Sequence, residues 1–394
     1  MGRPARVVTV ISCLALTALS AGCGRSGTAV PGEMDVRGLD TGSYPVSRYA
    51  YDDNNGGKGN TLEGIRMTAA VAPTVRIDPS LKVGRGGEPL TSVDDVVNQS
   101  HLAAVSRTVL NNRGFVAGFA ASGSDREDIG NNPDPAGTTI TTRVLRFPSA
   151  DNAKLAAREL EDADFNVALN VNKKLTLPDY PDAYAHWRPG VANVGITMAR
   201  KDFVVSLFII RPRADQQDLL TWAKKSLDAE IPVLDAFAET PSDRIAQLPV
   251  DPDRLLARTL VADRAGKGVD PDNFAVYPGI WLVLPAEDMG IFTKLVADHG
   301  VDEMSVADAN FVIRLRDGST GGDFVNSMIS NLRETPAAAP DKVPDVKCVH
   351  RTSNQAPNRC YVRYKRYVGV VSGTSDAEVQ NKAVAQYALL ANSL

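Results

Sequence analysis

The chain runs twice through one order of elements: a helix closed by a glycine, a strand, a strand leading into a helix, and a further strand leading into a helix. Arg113-Gly114-Phe115-Val116 stands against His299-Gly300-Val301-Asp302, and Val144-Leu145-Arg146-Phe147 against Val312-Ile313-Arg314-Leu315. Phe203-Val204-Val205 stands against Tyr367-Val368-Gly369. The offsets are 186, 168 and 164 residues, a drift that changes of loop length absorb. A strand or an amphipathic helix buries its apolar side only against another element, so this order points to sheets with helices laid on them. The expected class is α+β, with two similar units, each an antiparallel sheet with helices packed on one face. Strand–helix alternation also recurs in unrelated α+β chains, so the order alone does not establish a duplication.

Local signals fill in the elements. The apolar run 203–210 (FVVSLFII) has the length of a buried strand. The β-branched stretch 138–147 predicts another, and shorter strands are expected at 115–121, 274–284, 309–315, 346–349 and 360–371. Helices are expected at 101–110, from Ser149, over 215–237, at 288–299 and 320–332, and after the capping box Ser375-Asp376-Ala377-Glu378. Pro232 should kink or split the 215–237 helix. Pro241, Pro249 and Pro252 mark 240–262 as a Pro-rich linker between an N-terminal domain, 35–239, and a C-terminal domain, 263–394.

The N-terminus reads as a targeting segment. Arg3 and Arg6 precede fifteen uncharged, mostly apolar residues, Val7 to Ala21. A membrane-spanning helix needs about 20 such residues, whereas fifteen suits the apolar stretch of a signal peptide. The boundary Leu19-Ser20-Ala21-Gly22-Cys23 resembles the bacterial lipobox, in which the cysteine receives a diacylglyceryl group and becomes the first residue after cleavage. The expectation is a signal peptide at 1–22, a lipidated tether at 23–34 and lipidation at Cys23. Such a protein is held at the extracytoplasmic face of the cell membrane by its lipid, without spanning it. Loss of Arg3 and Arg6 takes the net charge from −4 to −6, and neither value suits a nucleic-acid partner.

Several stretches together resemble one family. They are 35–45 (DVRGLDTGSYP), 145–150 (LRFPSA), Tyr180-Pro181-Asp182-Ala183, the linker with Leu255-Leu256-Ala257-Arg258-Thr259-Leu260, the Cys348/Cys360 pair, and Ala385-Gln386-Tyr387-Ala388-Leu389-Leu390. In this order they are similar to secreted lipoproteins of mycobacteria, nocardiae and their relatives, which carry a conserved domain of unknown function. The resemblance covers nearly the whole mature chain and transfers no catalytic residue. Lys365 departs from it, standing where a glycine is expected.

Chemistry is sparse. No G-x-S-x-G, H-E-x-x-H, Walker A or G-x-G-x-x-G motif occurs in its required setting. His101, His186, His299 and His350 never fall at metal-ligand spacing, so no metal and no cofactor are expected. Tyr180, Tyr184, His186 and Trp187 form an aromatic cluster, either a rim that stacks on a ligand or a loop pinned to the core. Arg351, Arg359, Arg363, Lys365 and Arg366 surround the second cysteine, as an anion-facing patch or one solvated strand face. Cys13 leaves with the signal peptide and Cys23 takes the lipid, so Cys348 and Cys360 are expected to form a disulfide. Two functions compete. One is a non-catalytic binding or structural lipoprotein for an envelope lipid, glycan or protein, with a cleft between the units as its default site. The other is an envelope-acting hydrolase that gathers Ser122, His186 or His299 with a carboxylate across the fold.

Overall fold

In the computed structural model, which describes residues 34–130, 132–351 and 357–393, the first half contains α1 (Gly59–Arg66), β1 (Val83–Leu90), α2 (Ser106–Arg113), β2 (Ala117–Ser124), β3 (Thr139–Arg146), α3 (Ala150–Asn166), β4 (Lys173–Leu175), β5 (Ala183–Trp187), β6 (Asn193–Arg200), β7 (Phe203–Ile210) and α4 (Gln216–Ala236). The second half contains β8 (Phe274–Pro278), α5 (Met289–His299), β9 (Glu303–Ala307), β10 (Asn310–Arg314), α6 (Gly321–Asn331), β11 (Thr335–Ala337), β12 (Val346–His350), β13 (Asn358–Tyr364), β14 (Tyr367–Gly373) and α7 (Asp376–Asn392). Cys23, the signal peptide 1–22 and all but the last residue of the tether lie outside the described residues.

The first sheet has the order β1-β2-β3-β7-β6-β5-β4, and the second β8-β9-β10-β14-β13-β12-β11. Both are antiparallel, and one order becomes the other when seven is added to each number. Helices enter at the same places: before the second strand, after the third and after the seventh. The register agrees as well, since Arg146 faces Phe203 in the first sheet and Arg314 faces Tyr367 in the second. The α+β class with two similar antiparallel units is therefore realised strand by strand.

The duplication reaches the caps. Gly114 and Gly300 end α2 and α5 in the left-handed region, at φ 72° and 57°. In each case the next amide donates to the carbonyl five residues back, Phe115 to Leu110 and Val301 to Val296. Glycine enters this region without a Cβ clash. The helices divide between faces. In the first sheet α2 and α3 cover the face of Leu145 and Val204, while α4 covers the face of Val144, Phe203 and Val205. In the second, α7 lies so close to β14 that a Cβ on Gly369 would stand 2.6 Å from Gln386 Cγ.

Some expected elements differ. The stretch 360–371 is two strands, β13 and β14, joined by a hairpin at Lys365-Arg366 with Lys365 at φ 51°. Lys201 takes φ 53° at the matching hairpin between β6 and β7. Pro232 does not split α4, which runs unbroken from Gln216 to Ala236. The strand from Phe274 stops at Pro278 and becomes a tight turn over Gly279–Leu282.

Residues Gly38–Leu394 group into a single unit that holds both sheets. The Gly84 amide donates to the Ala286 carbonyl (2.8 Å), that of Gly86 to Leu284 (3.0 Å) and that of Met289 to Lys82 (2.7 Å). Trp281 stacks on Tyr277 in the second half and meets Phe119 of the first edge-on. The Pro-rich segment 240–262 is packed rather than loose. Leu255, Leu256 and Leu260 are fully buried, and the Leu260 amide donates to Gln386 Oε1 of α7. Cys348 and Cys360 face each other across β12 and β13 and form a disulfide.

Candidate functional site

Strand register lines up one row of side chains across the first sheet: Glu88, Ala120, Arg143, Ser206, Thr197 and Tyr184. The next row on the same face reads Ser122, Thr141, Phe208, Gly195 and His186. Helix α3 and the segment 99–106 rise at the sides and leave a cavity of about 820 Å³ over these rows. Its floor is rich in hydroxyls. Ser122 Oγ lies 3.1 Å from Thr141 Oγ1 and 3.1 Å from the Ile140 carbonyl. Thr197 Oγ1 donates to the Ala157 carbonyl at 2.7 Å.

Arg143 is the unusual member. Only 3% of it is exposed. Its Nε donates to the Ser100 carbonyl at 2.8 Å, and Nη2 donates to the same oxygen. Among the described residues no carboxylate lies within ion-pair distance of it, and Nη1 finds no acceptor. Burial pulls the guanidinium down to about 10. Glu88, half-buried on the same row, is pushed up by burial and so carries its charge less readily than an exposed glutamate. At the far end His186 Nδ1 lies 3.1 Å from Glu161 Oε1, and Lys174 Nζ pairs with the same carboxylate.

The second half supplies the comparison. There the row matching Arg143 reads Ala275, Val306, Phe311, Val370, Tyr361 and Lys347. Val306, Val370 and Tyr361 are buried in a continuous apolar core with Phe324 and Met328 of α6, and Phe311 packs against it. The same face of the same sheet is thus filled in one half and hollow in the other.

The aromatic cluster expected from sequence is not one surface. Tyr184 and His186 point to the cavity side of β5, while Ala183, Ala185 and Trp187 point into the core on the opposite face. Tyr180 also packs on that core, and its hydroxyl donates to Asp228 Oδ1 at 2.7 Å. Trp187 donates to the Val191 carbonyl at 2.6 Å. The basic run is not one exposed patch either: Arg351 and Arg359 share buried Glu334, and Arg363 pairs with Asp345.

Ser122 and His186 line the same cavity, but they stand four strands apart in one row, about 19 Å at the usual strand spacing. His299 belongs to α5 and packs edge-on against Phe324. These three residues therefore do not form a triad. Among the described residues no cluster of His, Cys, Asp and Glu is arranged to hold a metal ion, and no helix is long and apolar enough to cross a membrane.

A second cavity, about 920 Å³, lies where the halves meet, between α1, α4, the 240–252 segment and β8. This is the cleft expected as the default site. Its walls are mostly apolar, and its charged groups are largely matched: Arg66 pairs with Glu63, while Asp302 and Glu303 pair with Arg314. Arg143, Ser206 and Thr197 were missed in the sequence because the row exists only once the strands are in register. The usable signal was the internal alignment, which sets Arg143 against Phe311 and Ser206 against Val370.

Residues 50–250 match the N-terminal domain of unknown function DUF7373, and residues 255–393 match its C-terminal counterpart. No curated protein matches the chain. Among solved structures it is similar to the extracellular domain of PknH from Mycobacterium tuberculosis, at 12% identity and a TM-score of 0.28, over 43% of this chain and 93% of that one.

Proposed function

Because the chain belongs to the DUF7373 family and carries both of its domains, we propose that it is a non-catalytic binding module of the cell envelope, held at the outer face of the membrane by a lipid on Cys23. Its ligand, an envelope lipid, glycan or protein segment, enters the cavity of the first half. One observation carries this reading: the duplicated fold packs that face dry in the second half and leaves about 820 Å³ open over a hydroxyl floor in the first. Cavities of roughly 300–1,000 Å³ with a few convergent polar groups are the usual form of small-ligand sites. The hydrolase reading has less support, since Ser122 and His186 stand too far apart to exchange a proton.

Gly195 provides the test. A Cβ built there meets no atom within 4 Å, so Gly195→Phe should block the cavity floor without disturbing the sheet. Native mass spectrometry of the detergent-extracted full chain should find a co-purifying small molecule that the variant lacks. The same adduct on Gly195→Phe would place binding elsewhere. Cys23→Ala should move the folded protein from the membrane to the soluble fraction, and continued sedimentation with membranes would remove the lipid anchor from the reading.

A further inference from the structure

The cavity's chemistry narrows the ligand. A guanidinium removed from water loses hydration that an ion pair normally offsets. Arg143 has no carboxylate at ion-pair distance among the described residues, only Glu88 acting through space from two strands away, although it is 3% exposed and belongs to the cavity lining. Anchoring the 99–106 segment does not account for it. That task uses Nε and Nη2 on the carbonyl and hydroxyl of Ser100, both neutral acceptors that neutral donors would serve equally well. Nor does the fold require a cation here, because Phe311 fills the equivalent place in the second sheet. The surrounding floor offers Ser122, Thr141 and Ser206, groups that both donate and accept. Glu88, two strands away, is the acid on that row.

Resting on the binding reading above, we propose that the cavity takes a sugar-like ligand bearing one oxyanion, with the carboxylate or phosphate on Arg143 Nη1 and the ring hydroxyls on the Ser/Thr floor. The shared chemistry is an oxyanion on a polyhydroxylated frame. A uronic acid and a sugar phosphate both present it. A hydrogen bond to a charged group contributes about 1.5–3 kcal/mol, so loss of the guanidinium should weaken such a ligand roughly ten- to a hundredfold.

Isothermal titration of the full lipid-bearing chain in detergent, with glucuronate, glucose 6-phosphate and glucose as probes, tests this. At least one anionic sugar should bind, more tightly than glucose. Arg143→Met should reduce its affinity at least about tenfold and leave glucose unaffected. Which anionic probe binds better identifies carboxylate or phosphate as the group recognised. Thermal melting monitors folding of Arg143→Met. If it does not fold, Arg143→Lys takes its place, retaining charge but not the planar fork, and should bind at an intermediate level. Equal affinity in the wild type and the Arg143 variant, or no anionic binding at millimolar concentration, overturns the proposal. If Gly195→Phe abolishes sugar binding while Arg143→Met does not change it, only the oxyanion assignment falls. If Gly195→Phe leaves binding intact, the cavity reading falls with it.

Discussion

Arg146 and Arg314 close the third strand of each sheet, and both are held by acids from outside their own strand. Arg146 Nη1 donates to Glu63 Oε1 at 2.5 Å, and Nη2 to the Thr240 carbonyl at 2.6 Å. Arg314 reaches Asp253, Asp302 and Glu303. The Arg146 and Glu63 side chains are almost wholly buried, so removing Arg146 leaves Glu63 with the partly exposed Arg66 as its remaining cation and leaves Asp202 without its arginine. Arg146→Met should lower the stability to denaturant by about 3–5 kcal/mol, with part of that regained when Glu63→Gln is added. Independent, additive losses would mean the pair is not coupled. Glu230 is the other buried acid of note, with Oε2 accepting from the Ala72 amide at 2.9 Å and Oε1 unmatched. Burial pushes it up to about 8. The native state therefore keeps a proton that the unfolded chain releases near the ordinary glutamate value. Full stability is present below about 4.5 and is lost as pH climbs through about 8. Unfolding free energies measured from pH 4 to 9 should fall less steeply in Glu230→Gln, and an unchanged slope would assign the pH dependence to other groups. The sequence aligned Arg146 with Arg314 but showed the burial of neither Arg146 nor Glu230. Each reads as an ordinary charged position, and its burial comes from packing between distant segments.

Among the elements, those with a strong local signal were readable. Ser149, Asp215, Asp288 and Ser375 each accept an amide hydrogen bond at a helix start, as small polar residues before apolar-periodic runs should. The run 203–210 became β7 without adjustment. Strand β1, with sequence VGRGGEPL, was missed because its glycines and proline lack β character, and its partners hold it in place. β4 and β5, at three and five residues, are too short to show a period, whereas β6 alternates Val194, Ile196 and Met198 with polar or small residues and was legible as a strand. The hairpin between β13 and β14 was hidden by Lys365, which sits at φ 51° where a glycine would have announced the turn. A left-handed, non-glycine residue is held at a penalty of about 1–2 kcal/mol. Lys365→Gly should raise the melting temperature by a few degrees, the relief exceeding the entropy of the freer chain. A lower melting temperature would show that the lysine's own contacts outweigh its backbone conformation.

At the scale of the molecule, the two halves share backbone bonds and a core. Leu62 and Ile65 of α1 belong to the second half's apolar cluster, and Leu284 to the first half's. Expressed alone, 38–250 should be poorly soluble, and co-expression with 255–394 should restore a soluble complex detectable by size-exclusion chromatography. A monodisperse, fully folded first half on its own would refute this dependence. In limited proteolysis the buried 255–261 segment should outlast the exposed loop 126–130. The contact of Gly84 and Gly86 with Leu284 and Ala286 has another effect. It occupies the outer edge of β1, whose free amides and carbonyls would otherwise recruit a strand from another molecule. The opposite edges are β4 and β11, three residues each, the first carrying Lys173 and Lys174 and the second interrupted by Pro336. Charge, brevity and proline all discourage edge-to-edge pairing. The lipid anchor proposed above would confine copies to two dimensions, where they meet sideways more often than in solution. Three of the four sheet edges, all but β8, are unsuited to such strand pairing.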